Sequence, residues 1–119
     1  MLLVIAYLIY DVQAYLDDDA VDINGKVFPH YYTALHSVCY SDHRDVAELL
    51  LDHGAAIESR TSLGSTHLHL ASLYGHASTI KLLLDRGAKV NVTNKTGCTA
   101  LHGTCYNGNT QCVEELGFE

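Results

Sequence analysis

Eight histidines and four cysteines give this chain of 119 residues enough ligating and nucleophilic groups for a metal site or a thiol mechanism. The cysteines are Cys39, Cys98, Cys105 and Cys112. Zinc needs about four converging ligands, and clustered pairs such as CxxC usually supply them. No CxxC pair is present, and the spacing suits neither a zinc module nor a dense disulfide framework. Reduced, mostly packed thiols in a cytosolic-type compartment are the simplest account. His36 and Cys39 are three residues apart, as are His102 and Cys105. That interval brings side chains together on a helix, and nucleophilic catalysis needs a Cys beside a base that a third group orients. His69 and Ser72 show the same interval, so packing explains the pattern better than chemistry. The remaining metal reading is a chance site at a junction between units, with Cys105 as one ligand. No phosphate-cradling glycine loop appears. Asp17, Asp18 and Asp19 read as a solvated helix end or loop, with metal or basic-peptide contact as the alternative, and Glu114 and Glu115 read as exposed charge. The chain is therefore expected to be no enzyme, with no catalytic, metal or cofactor-binding residue.

What positions the histidines is an internal repeat. Thr33-Ala34-Leu35-His36 returns as Thr66-His67-Leu68-His69 and as Thr99-Ala100-Leu101-His102, at a step of 33 each time. Gly54 and Gly87, Gly64 and Gly97, Gly75 and Gly108, and His43 and His76 keep the same step. Leu49-Leu50-Leu51 maps onto Leu82-Leu83-Leu84. Self-similarity at such a period is the mark of a stacked-repeat architecture.

Within one unit, Thr66 is a good N-cap, because its hydroxyl can accept from an orphan N–H of the first turn. Leu68, Ala71 and Ser72 then follow on one face. Gly75 closes this short helix with a left-handed residue. A second helix is predicted from about His76 to Arg86, burying Ile80, Leu83 and Leu84 with Leu82 beside them, and Gly87 stops it. Val90 and Val92 alternate in an extended segment, and Asn94 and Gly97 make a turn, so Ala88 to Gly97 reads as a protruding hairpin-like loop. Neither helix can bury its apolar face alone; stacking on the next unit does so.

These motifs resemble the ankyrin repeat. That family has a period of 33, a Thr-Pro-Leu-His opening, a Gly-His pair between helices and a Leu-rich tail ending in Gly-Ala-x-x-Asn. Ser65 to Ala71, Gly75-His76 and Leu82 to Asn91 match it well, and the resemblance clearly covers residues 33 to 113. It implies an all-α fold: an ankyrin-type helical-repeat solenoid of stacked helix-turn-helix units joined by hairpin-like loops. It also implies that His36, His69 and His102 hydrogen-bond within their turns and tie neighbouring units. The chain departs from the pattern in three places. The motif proline is replaced by Ala34, His67 and Ala100; Asp42 stands where Gly75 and Gly108 stand; and Gln111 to Gly117 replace the Leu-rich second helix of the last unit.

Residues 1–119 are expected to form a single domain. It divides into a divergent N-terminal unit and loop over 1–32, repeats over 33–65 and 66–98, and a truncated or capping repeat over 99–119. Asp22-Ile23-Asn24 resembles the tail Lys89-Val90-Asn91, with Ala6 in the slot of a first-helix alanine and Val12, Tyr15 and Leu16 on a second-helix face. Met1 to Tyr10 imitates a signal-peptide core but lacks a basic n-region and a clear cleavage site, and it is too short to span a membrane. A buried repeat helix is the preferred reading. An apolar helix there leaves a surface for an upstream repeat or a weak self-association contact.

The formal charge is −7. Nucleic-acid binding usually needs a basic patch, so nucleic-acid and membrane partners are not expected. The acidic balance favours basic or neutral partners without naming one. A repeat stack presents a long concave face, so the expected function is a non-enzymatic protein–protein interaction module, an adaptor or scaffold acting in the cytoplasm, with the nucleus as the alternative setting. The other reading is a regulatory or targeting domain of a larger adaptor or enzyme. By resemblance, contact positions fall just before the Thr motif and just before Gly-His. They are Tyr32, Tyr40, Ser41, Ser62, Leu63, Ser65, Leu73, Tyr74, Lys95, Thr96, Tyr106 and Asn107, joined by Arg86 just before the terminal glycine Gly87. Tyrosine and arginine are the residue types that tend to anchor interfaces. The competing account is that Tyr40 and Tyr106 only cover helix junctions.

Overall fold

The computed structural model describes residues 16–17, 22–27 and 29–117. The expectations for Met1 to Tyr10, Ala6, Val12 and Tyr15 lie outside these residues. Among the described residues from 33 onward, six helices follow one another: α1 (Ala34–Ser41), α2 (Arg44–Asp52), α3 (His67–Leu73), α4 (Ala77–Asp85), α5 (Ala100–Asn107) and α6 (Thr110–Glu115). The described residues hold no strand, only an isolated antiparallel bridge between Val27 and Tyr32. No described helix is long and apolar enough to cross a membrane.

Each first helix begins where the sequence places it. Thr33 and Thr66 are extended N-caps whose hydroxyls accept from the N–H groups of His36 and His69, while each histidine's Nδ1 accepts from the threonine's own N–H at 3.0 Å. This reciprocal box satisfies two otherwise orphan donors at once. The helix ends turn through the left-handed region, with Gly75 at φ +75° and Gly108 at φ +68°. Asp42 adopts φ +59° at the equivalent place. An aspartate tolerates this region better than most residues, and its carboxylate accepts from the Thr79 hydroxyl at 3.3 Å and lies 3.6 Å from His76 Nδ1. The departure from glycine thus becomes a contact between units.

The helices form two rows. First helices pack along one row (α1 on α3, α3 on α5) and second helices along the other (α2 on α4, α4 on α6), with each unit's own pair joining the rows. The core runs between them through Leu35, Val38, Leu50, Leu68, Ala71, Ile80, Leu83, Ala100 and Cys112, all essentially buried. Full burial of a Leu or Ile side chain contributes about 1.5–3 kcal/mol. On α4 the expectation needs one correction: Leu82 is buried while Leu84 is only half-buried. Leu84 nonetheless packs against the core. Leu16 is half-buried and packs on the same core. In α6, Cys112 and the following Leu116 supply the buried positions.

The Ala88–Gly97 loop bends at Val90–Asn91 instead of running extended. Its tip closes through Asn94, whose N–H donates to the Cys98 carbonyl at 2.9 Å and whose Oδ1 accepts from the Thr96 and Cys98 N–H groups at 3.0 Å. Successive tips are tied together: the Ser62 N–H donates to the His30 carbonyl, and the Lys95 N–H to the Leu63 carbonyl.

Candidate interaction surface

The face built by the first helices and loop tips is positioned from the histidine boxes outward. Because His69 Nδ1 accepts from Thr66, the neutral ring carries its proton on Nε2, which donates to the Cys98 carbonyl at 2.8 Å. One ring thereby fixes its own turn and the loop of the next unit. His36 repeats the Nδ1 half of this arrangement; its Nε2 faces the Ser59 and Ser65 carbonyls without a well-formed hydrogen bond to either. The ring packs instead on that of His67, with centroids 3.9 Å apart. His67 is fully buried and donates from Nε2 to the Ala56 carbonyl at 3.0 Å. Burial, and then the neighbouring His67, lowers His36 to about 3; burial lowers His67 to about 4. His69 is also lowered by burial. His102 makes only the local contact, 2.9 Å from the Thr99 N–H, and is exposed.

On this frame lie two shallow hollows. One, of about 190 Å³, is bordered by Ser65, His69, Leu70, Leu73, Cys98 and Tyr106. The other, of about 230 Å³, is bordered by His30, Tyr32, Ser62, Leu63, Leu70 and Tyr74, and also by Ser65 and Leu73. Ser65, Leu70 and Leu73 belong to both, so the two are halves of one groove along the first helices. Tyr40 and Tyr74 meet edge-on at its helix-turn margin, with centroids 4.4 Å apart, and both remain exposed. Leu63 at 64% and Tyr106 at 86% exposure are the most open apolar side chains among the described residues. Burial, followed by Tyr40, raises the Tyr32 and Tyr74 phenols above their ordinary value. They are therefore neutral hydroxyls near pH 7, able to donate or accept.

Most of the residues expected to make contact are brought together. Tyr32, Ser62, Leu63, Ser65, Leu73, Tyr74 and Tyr106 line the groove, and Tyr40 leans on Tyr74. Lys95 sits at the rim, bonded through its backbone to Leu63. Ser41 is half-buried, and its hydroxyl donates to the Ser37 carbonyl at 2.9 Å. The Thr96 hydroxyl is occupied inside its own turn with Asn94 Oδ1 at 2.8 Å. Arg86 lies apart, at the end of α4, where it pairs with Asp52 at 2.8 Å and Glu48 at 3.6 Å on α2. Asn107 ends α5, and its side chain lies outside the described residues. Sequence reasoning missed His67 and Leu70. The signal for His67 was a large polar residue in a slot that holds alanine in the other units.

The groove can bury apolar groups and exchange hydrogen bonds with hydroxyls. Cys39 is buried, with its thiol pushed up by that burial, and the half-buried Cys98, which borders the groove with His69 and His102, lies 3.6 Å from the Thr96 hydroxyl. No group of three or more His, Cys, Asp or Glu residues converges on a metal position among the described residues.

A family model for ankyrin repeats in three copies matches residues 3–94. No curated protein matches the chain.

Proposed function

We propose, on the premise that the chain belongs to the ankyrin repeat family, that it binds a partner protein along the groove of its first helices and at its loop tips. Ankyrin repeats are generally protein–protein interaction modules and typically non-enzymatic. The observation that carries the finer reading is the exposed Tyr40–Tyr74 pair beside a continuous apolar groove. A soluble monomer rarely leaves large contiguous apolar surface uncovered without a use for it, and aromatic anchors next to a pocket are the commonest carriers of binding energy. In this reading the rigid histidine-pinned frame presents the tyrosines already ordered, which limits the entropy lost on association. The cytoplasm, or else the nucleus, is part of the same proposal, as is action within a larger adaptor or enzyme.

The test is a pull-down from the native source with the unaltered chain and with Tyr74→Ala and Tyr106→Ala as baits, alongside thermal melts. Loss of the captured protein with the melt unchanged supports the reading. Equal loss of binding and stability would show that the tyrosines only cover helix junctions.

A further inference from the structure

The charge of the whole chain and the charge beside the groove have opposite signs. In the loops over residues 22–33, 53–66 and 87–99, the described charged residues are Lys26, Arg60, Lys89 and Lys95 against Asp22 and Glu58. Both carboxylates are already engaged: Asp22 accepts from the Asn24 N–H and Glu58 from the Lys89 N–H, each at 2.9 Å. The cations of the helices are neutralised where they stand. Arg44 pairs with Glu48, Lys81 with Asp85, and Arg86 with Asp52 and Glu48. Among the described residues no carboxylate pairs with Lys26, Arg60 or Lys95.

These three cations stand one to each loop, at steps near but not equal to the repeat's 33 residues. Lys26 donates to the Arg60 carbonyl at 2.9 Å, and Arg60 to the Thr93 carbonyl at 3.3 Å, so the stems are laid across successive tips rather than waving free. The Lys95 stem lies over Gly64, with Cγ 3.3 Å from the place a Cβ would occupy there. Lys26 and Arg60 are also close enough to His36 and His69 to oppose their protonation. A carbonyl oxygen leaves an ammonium or guanidinium group with its full positive charge and with donors to spare. An N–H donor likewise leaves Asp22 and Glu58 their negative charge, so these loops keep a net positive balance, with Lys26, Arg60 and Lys95 the cations that no carboxylate pairs among the described residues.

We infer that the occupant of the groove is a short extended protein segment carrying acidic residues beside apolar ones, its apolar side chains on Leu73 and the tyrosines and its carboxylates on the Lys26–Arg60–Lys95 rim. This deepens the proposed function and rests on it. The net charge of −7 repels a long polyanion, whereas a few carboxylates set against the rim meet only the local field within about 8 Å at physiological salt.

The experiment is selection of the full chain against a display library of short random peptides, followed by affinity measurements on synthetic versions of the enriched peptides. The expected consensus has Asp or Glu flanking apolar or aromatic residues. Its affinity should fall as salt rises, and Lys95→Glu, at an exposed position, should weaken it roughly tenfold, within the range for a close charge pair, with the melt unchanged. Changing the peptide's carboxylates to lysine should shift its preference to the Lys95→Glu chain. A basic or uncharged consensus that still depends on Tyr74 would overturn the acidic partner and leave the groove reading intact. A consensus indifferent to Tyr74→Ala would overturn both. An empty selection would overturn the inference that a short segment suffices.

Discussion

Protonating His36 or His67 places a charge where no water reaches it, since both rings are 0% exposed. Their folded values, about 3 and about 4, lie below the ordinary 6.5 of the unfolded chain. Between these limits the unfolded state binds the extra protons. Stability is therefore intact above pH 6.5, falls as the pH drops from there, and levels off only below the folded values. Each group contributes a slope of about 1.4 kcal/mol per pH unit. Two groups over the interval from pH 6.5 to 5 give a loss on the order of 4 kcal/mol, a large share of a small domain's stability. Urea titrations across this range should show it; a flat profile would mean that the rings are hydrated. His67→Pro isolates one of the two groups. It loses the bond to Ala56, worth about 1 kcal/mol, and restores a residue suited to the first helical turn. Near pH 7 the two effects should roughly cancel, and by pH 5 the variant should be the more stable form. An unchanged pH slope in His67→Pro would contradict the assignment. This pairing was not legible in the sequence, because two residues at different positions of neighbouring units meet only once the units are superposed in space.

At the scale of the helices, α3 and α5 approach closely at Gly103. A Cβ there would lie 3.0 Å from the Leu73 nitrogen and 3.2 Å from its Cα. Gly103→Ala gains about 1 kcal/mol of helix propensity. It must, however, push apart two helix backbones, an overpacking that costs about 1–3 kcal/mol. The clash should prevail, so the variant is expected to unfold at lower urea; a stabilised variant would mean that the helices part easily. Asp42 poses the opposite question, since its backbone sits where glycine is favoured. Asp42→Gly and Asp42→Ala both lose the contacts to Thr79 and His76, and differ in the left-handed strain alone. The Gly variant should exceed the Ala variant by about 1 kcal/mol in urea unfolding; equal stabilities would refute the strain. Helix order and caps were readable because Thr, His and Gly recur at a fixed step, and each acts through its own turn. The relative burial of Leu82 and Leu84 was not readable, because it depends on how α6 lies over α4.

At the scale of the whole molecule, the stack extends 43 Å along its long axis and about half that across, and the proposed groove runs along the row of first helices. The groove was legible in outline, since the slots before each Thr and Gly-His motif share a face by repeat symmetry. Arg86 shows where that reasoning stops: its place before a terminal glycine gave no hint of Glu48 and Asp52 one unit earlier. Exposed ion pairs of this kind contribute little, with a median of about 0–1 kcal/mol. Arg86→Ala should therefore shift the melt slightly and leave partner capture unchanged; lost capture would place the second helices in the interface. The most direct test of the central claim uses a photo-crosslinking phenylalanine analogue in place of Tyr74 and, separately, in place of exposed Lys81 on α4. After irradiation in the native source, adducts to a partner protein are predicted at position 74 and not at position 81. Adducts at 81 with none at 74 would contradict a partner seated in the groove.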